Sequence, residues 1–143
     1  MRIKTTDAAD FTRLDPQDEQ AHDLVQYTLE YGRKVLAACE AATILSNDGT
    51  TVAIVGVVVV HPGRALVWTM LARDAGRHML GLTKTVKKLL QGFCSYDRVE
   101  ATVRADFAPG HRWARLFGFA RECTMRRFGP DGQDYDLYAR VKA

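Results

Sequence analysis

The sequence has no run of eighteen apolar residues, so it carries no segment suited to crossing a bilayer as a helix. The longest apolar stretch, 52–60, is too short and is interrupted by Gly56. Cysteine is scarce: Cys39, Cys94 and Cys123 are scattered and odd in number. No pair of them has metal-ligand spacing, so three reduced, mostly buried thiols are expected. No cluster of His, Cys and carboxylates has metal spacing either, and no metal is expected. Internal repeats and low-complexity tracts are absent. The 4 prolines and 11 glycines are dispersed and do not form a linker, which argues for one domain over 1–143. Met1-Arg2-Ile3-Lys4 lacks the apolar stretch of a signal peptide, and a cytoplasmic location is the expectation. The net charge of +3 is mild. It suits an anionic ligand, and by itself it is not the footprint of a nucleic-acid binder.

What is present alternates between two periods. Residues 1–5 form a weakly alternating strand. Asp15-Pro16 reads as a helix start, since Asp caps and Pro fits the first helical position. Leu24, Tyr27, Tyr31 and Val35 then recur at helical spacing, with Gly32 as a break, which predicts two helices or one bent helix between Pro16 and Glu40. A short strand over 42–46 is followed by the turn Asn47-Asp48-Gly49 and by a strand over 51–60, apolar on both faces and hence central. After His61-Pro62-Gly63-Arg64 comes a strand over 65–71. Met79, Leu82, Val86, Leu89 and Leu90 then mark an amphipathic helix over about 76–91, with Lys84, Lys87 and Lys88 off the apolar face. A strand over 98–103 and a short helix over 109–117 follow, the helix with Trp113, Leu116 and Phe117 on one side. Gly118 closes that helix as a left-handed cap, and Phe119 folds back onto its last turn. Strands over 122–128 and 135–141 form a hairpin across Gly129-Pro130-Asp131-Gly132. Adjacent antiparallel strands joined by crossover helices predict a mixed sheet with helices on both faces.

This element order, with Gly118-Phe119 closing the second crossover helix, resembles the GNAT N-acetyltransferase superfamily. The resemblance implies an α/β (α+β) fold with a mostly antiparallel central sheet of about seven strands. In that family the fourth strand runs into a turn and helix with the pattern Arg/Gln-x-x-Gly-x-Gly/Ala, whose N–H groups hold the pyrophosphate of acetyl-CoA. Unpaired N–H groups and the helix dipole favour an anion there. Here the strand leads into Arg73-Asp74-Ala75-Gly76-Arg77-His78. Arg73 and Gly76 fit the pattern, and His78 stands at the small-residue position. The resemblance implies that acetyl-CoA lies between the strands 65–71 and 98–103. Arg73, Gly76, Arg77 and His78 would sit at its phosphates, and the main chain of Thr69, Met70 and Leu71 would polarise the carbonyl. The bland alternative for 73–78 is a strand-to-helix turn with exposed arginines.

The second family signature, Asn-x-x-Ala-x-x-Phe-Tyr-x-x-x-Gly-Phe, falls on Phe107, Gly110, Trp113, Ala114, Gly118 and Phe119. In many members the Tyr protonates the departing thiolate, and Ala114 has no group to do so. Val67-Trp68-Thr69, the run from Trp113 to Phe119 and the tail from Gly129 are similar to small GNAT-like proteins of tailed phages and prophages. Some of those resemble internal virion proteins.

Glu100 is the candidate general base, if its pKa is raised; otherwise it is a sheet residue paired with an arginine. His61 and His111 are further bases in principle, but a surface position is expected for both. His22 gives no site signal. Trp68 and Trp113 are expected in the core. Arg112, Arg115, Arg121, Arg126 and Arg127 form either a solvated face or a partner surface. Two functions therefore stand side by side. One is an acetyl-CoA-dependent acetyltransferase acting on a small-molecule or protein amine. The other is a GNAT-shaped interaction protein without catalysis, with phage structural proteins as partners, placed in the host cytoplasm or in a phage particle. Neither membrane nor nucleic acid is an expected partner.

Overall fold

The computed structural model of the chain describes residues 1–18 and 27–143. His22 and Leu24 lie outside the described residues. Seven strands form one sheet: β1 (Arg2–Thr5), β2 (Glu40–Leu45), β3 (Thr51–His61), β4 (Arg64–Leu71), β5 (Arg98–Arg104), β6 (Ala120–Met125) and β7 (Tyr135–Val141). Their order is β1-β2-β3-β4-β5-β7-β6. The pairs β1/β2, β2/β3, β5/β7 and β6/β7 are antiparallel, and β4/β5 is parallel. Among the described residues the α-helices are α1 (Asp10–Arg13), α2 (Leu29–Ala38), α3 (Met79–Gln91) and α4 (Ala108–Leu116), and a 3-10 turn over Ala75–His78 leads into α3. The architecture is thus mixed α/β with a mostly antiparallel seven-stranded sheet. Among the described residues no helix is long and apolar enough to cross a membrane.

The described chain groups into two compact units. The first comprises Met1–Val58 and Trp68–Gln91. Its core gathers Phe11, Leu14, Ile54, Met70 and Ala72, with Tyr31, Val35 and Trp68 packed against them. Burial of such side chains is the main favourable term in folding. Gly56 is required here, because a Cβ on it would come within 2.0 Å of the Trp68 ring. Gly32 does not break a helix. It lies buried inside α2, where a Cβ would stand 2.7 Å from Ala8 O and 2.8 Å from the Phe11 ring, so glycine permits close approach. Thr28 caps α2 by accepting the Tyr31 N–H at 3.2 Å. Pro16 does not start a helix. It forms an antiparallel bridge with Ala72, so a tertiary pairing outweighs the local cap signal. On α3, Leu82, Val86 and Leu90 are buried and the three lysines are exposed, which follows the 3.6-residue period. The turn after β2 is held by Asp48, which accepts from Thr50 N–H at 3.0 Å and from the Ser46 hydroxyl, with Gly49 at φ 88°.

The second unit comprises Val59–Val67 and Gly92–Ala143. Its α4 ends in a Schellman motif. Phe119 N–H donates to Ala114 O at 3.2 Å, Gly118 N–H donates to Arg115 O at 3.0 Å, and Gly118 has φ 85°. Phe119 is buried as expected, whereas Leu116 is 58% exposed and does not share the apolar side of α4. The cap delivers the chain directly into β6, which begins at Ala120, two residues before the predicted start, and stops at Met125. That is three residues before the predicted end, and Arg127, at φ 54°, lies in the turn that follows. Cys39 is half-buried, but Cys94 and Cys123 are exposed, contrary to the expectation of mostly buried thiols.

Candidate functional site

The first unit carries the predicted phosphate turn. The strand β4 ends with Thr69 half-buried and Met70 and Leu71 buried, and Ala72 N–H donates back to Val52 O at 2.8 Å. The chain then turns through Arg73 and Asp74 into the 3-10 turn and α3. Ala75 N–H donates to Ala72 O and Arg77 N–H to Asp74 O, each at 3.0 Å. Gly76 faces open space: a Cβ added there meets no atom within 4 Å. A group approaching the main chain at Gly76 therefore meets no side chain, and glycine keeps that access. The Arg73 guanidinium contacts the Asp18 carboxylate at 2.5 Å and Asp15 at 3.6 Å, and these hold its pKa above the ordinary arginine value. Arg77 is exposed. His78 stands 4.0 Å from Asp74 and lines a shallow pocket with Met1, Ser46, Asn47 and Asp48. Asp48 has its pKa lowered to about 2, first by the Ser46 hydroxyl and then by the Thr50 N–H. The turn thus brings together Arg73, Gly76, Arg77 and His78 in one short span beyond Thr69, Met70 and Leu71.

The second unit carries Glu100. It is buried on β5 at 5% exposure, held by Arg64 Nε at 2.5 Å and by Arg98 Nη2 at 3.2 Å. Arg98 also grips Glu122. Burial works to raise the Glu100 pKa, but the hydrogen bonds and charges of Arg64 and Arg98 outweigh it and the net shift is downward. A general base needs the opposite shift. A period-two reading could have found this pair, since Arg98 and Glu100 share a face of β5.

His111 is not a surface residue. Its side chain is 13% exposed, with Nδ1 2.7 Å from the Tyr138 hydroxyl and Nε2 2.9 Å from Ala105 O. A carbonyl can only accept, so Nε2 donates to Ala105 O, while Nδ1 shares a hydrogen bond with the Tyr138 hydroxyl. Asp136, 3.9 Å from His111, is bound by Arg121 at 3.0 Å and by the Thr124 hydroxyl at 2.7 Å. Every polar group in this network is engaged, and Tyr138 is fully buried. His61 is exposed and accepts the Gly63 N–H. Ala114 is buried, and Trp113 packs edge-on against Phe117 with ring centroids 4.9 Å apart. Gly110 accommodates the Phe107 ring, which a Cβ would approach to 2.7 Å. Bulk at one position of the signature is thus matched by its loss at another. Among the described residues no group of three or more His, Cys, Asp or Glu is arranged to hold a metal.

Among the described residues two buried carboxylates, Asp136 and Asp10, carry no sequence signal. Asp10, in the first unit, is 1% exposed. It accepts from Thr43 Oγ1 at 2.8 Å, from Asp7 N–H at 3.0 Å, from Arg13 at 2.8 Å and from Lys4 at 2.9 Å. Burial tends to raise its pKa, and these partners together lower it. No local sequence signal links Asp10 to Thr43 across 33 positions.

No protein-family model matches the sequence, and no curated protein matches it. Solved structures do. A spermidine N-acetyltransferase chimera from Vibrio cholerae and hSSAT superposes with TM-score 0.77 at 8% identity, covering 98% of this chain and 94% of its own. An acetyltransferase of the GNAT family from Streptococcus pneumoniae gives TM-score 0.68 at 14% identity, covering 99% of each. A ribosomal L7/L12 α-N-protein acetyltransferase, solved in complex with coenzyme A, gives 0.72 at 12% identity, covering 98% of this chain and 93% of its own. The strand order, the parallel β4/β5 pair and these superpositions over nearly the whole chain lead to one conclusion: the chain has the GNAT acetyltransferase fold.

Proposed function

We propose that the chain is an N-acetyltransferase that takes its acetyl group from acetyl-CoA and passes it to an amine. The observation that carries this reading is the passage from β4 into α3, where Gly76 faces open space in a fold shared with a coenzyme A-bound relative. The proposed donor site comprises Arg73, Gly76, Arg77 and His78 for the phosphates and the main chain of Thr69, Met70 and Leu71 for the thioester end. A helix start left open at Gly76 and two guanidinium groups beside it suit a pyrophosphate. Bound acetyl-CoA would supply a thioester carbonyl carbon: the C–N bond to the amine forms as the C–S bond breaks, and the departing thiolate takes up the proton the amine gives up, leaving free coenzyme A thiol. Holding the two reactants together supplies much of the rate in such a transfer. Glu100 anchors an ion-pair network and would have to release both arginines to act as a base. Spermidine and ribosomal-protein amines, named for the relatives, define the first acceptors to try. Release of free thiol from acetyl-CoA, dependent on such an amine, supports the reading. Donor binding without transfer to any amine would remove its catalytic half.

A second reading has one specific observation behind it. Ala114 occupies the position of the thiolate-protonating tyrosine, and Tyr138 is buried and committed to His111. That favours a GNAT-shaped binding protein without catalysis, with phage structural proteins as its partner class. Co-purification with virion proteins, in the absence of thiol release, would select this reading.

A further inference from the structure

Residues 15–18 lie along the end of β4, and several contacts hold them there. Gln17 N–H donates to Leu71 O at 3.1 Å, and Arg73 N–H donates to Asp15 O at 2.7 Å. Pro16, between them, pairs with Ala72. Ala72 uses its own N–H in the other direction, toward Val52 of β3. The side chains reinforce the main chain, because Arg73 contacts both Asp18 and Asp15. This short acidic stretch therefore covers the first residue of the proposed phosphate turn and places two carboxylates around one guanidinium.

We propose that residues 15–18 are a strap whose carboxylates compete with the anionic groups of the acyl donor for Arg73, so that donor binding and strap release are coupled. The inference rests on the donor site proposed above and adds regulation to it. A guanidinium fork accepts a carboxylate or a phosphate in the same geometry, so the two are alternatives. Both carboxylates are largely exposed, at 76% and 80% of the side chain, and exposed pairs of this kind are weak and easily displaced. Two carboxylates beside the turn also repel a pyrophosphate, so the closed strap lowers donor affinity by charge as well as by occupancy. The coupling is reciprocal: whatever loosens the strap tightens donor binding, and bound donor loosens the strap.

The test is calorimetric titration of the full chain with coenzyme A, comparing wild type with the Asp15→Asn/Asp18→Asn double variant. Asn keeps the size of each side chain and removes its charge, and circular dichroism verifies that the variant folds. The variant is expected to bind roughly two- to fivefold tighter at low salt, the scale of an exposed ion pair. The ratio should shrink as salt rises. Equal or weaker binding by the variant, with wild type binding normally, overturns the strap and leaves the donor site standing. No binding by either chain overturns the donor site, and the strap with it. Amide exchange gives a second readout. Faster exchange at Gln17 on saturation with coenzyme A supports release, and unchanged exchange at Gln17 contradicts it.

Discussion

Gly56 and Trp68 show how a single atom controls the first unit. The indole lies across a strand position that has no side chain, and one added methyl would meet it at 2.0 Å. Gly56→Ala should therefore destabilise the fold by about 1–3 kcal/mol, as overpacking does, and a shift in the urea midpoint would measure it. Removing the indole as well, in Gly56→Ala/Trp68→Leu, should recover part of the loss. Asp10 makes the electrostatic version of the same point. Its carboxylate is buried with four partners, so Asp10→Ala takes the acceptor from the Asp7 N–H, Lys4 and Arg13 and leaves the Thr43 hydroxyl with Thr6 alone. We expect a loss of about 1–3 kcal/mol, the cost of an unsatisfied buried group. Asp10→Asn should cost less. Equal stability of Asp10→Ala and wild type would contradict the role given to this residue.

Gly118 has the same importance for helix α4. Its φ of 85° is left-handed, and the two Schellman bonds depend on it. Gly118→Ala should cost about 1–2 kcal/mol, the penalty of placing an L side chain in that region. Thermal unfolding would show the loss, and an unchanged Tm would contradict it. This cap was legible in the sequence because it is local: Gly118 and Phe119 stand next to the turn they close. The α3 face and the turn at Asn47-Asp48-Gly49 were legible for the same reason, since a period or a left-handed turn is written within a few residues. The helix start at Pro16 misled because its local signal is real but a pairing with Ala72 decides its conformation. His111 misled because its partner Tyr138 lies 27 residues away. The acidic residues 15 and 18 gave no hint of Arg73, since only the folded chain brings them together.

At the scale of the molecule, the three buried carboxylates among the described residues shape the response to acid. Asp10, Glu100 and Asp136 all have pKa values below their ordinary range. For Asp10 and Glu100, burial opposes a shift that their partners win. For Asp136, the Thr124 hydroxyl is the first cause, ahead of Arg121. Folded pKa values below the unfolded ones contribute stability that is fully present above about pH 4–5. That stability is lost as pH falls through the folded values. The urea midpoint should thus hold steady near neutrality and drop below about pH 4. A midpoint that rises on acidification would contradict the assignment of these pairs. The proposed function rests on the open turn at Gly76. The most direct measurement of the central claim is calorimetric titration of acetyl-CoA into wild type and into Gly76→Glu. A Cβ at position 76 meets no atom within 4 Å, so the fold is expected to tolerate the substitution, which sets a carboxylate beside the proposed pyrophosphate position. We predict saturable binding by wild type at submillimolar donor and its loss in a Gly76→Glu chain that unfolds at the wild-type temperature. Wild type showing no binding at millimolar acetyl-CoA, or Gly76→Glu binding as well as wild type, would contradict the account.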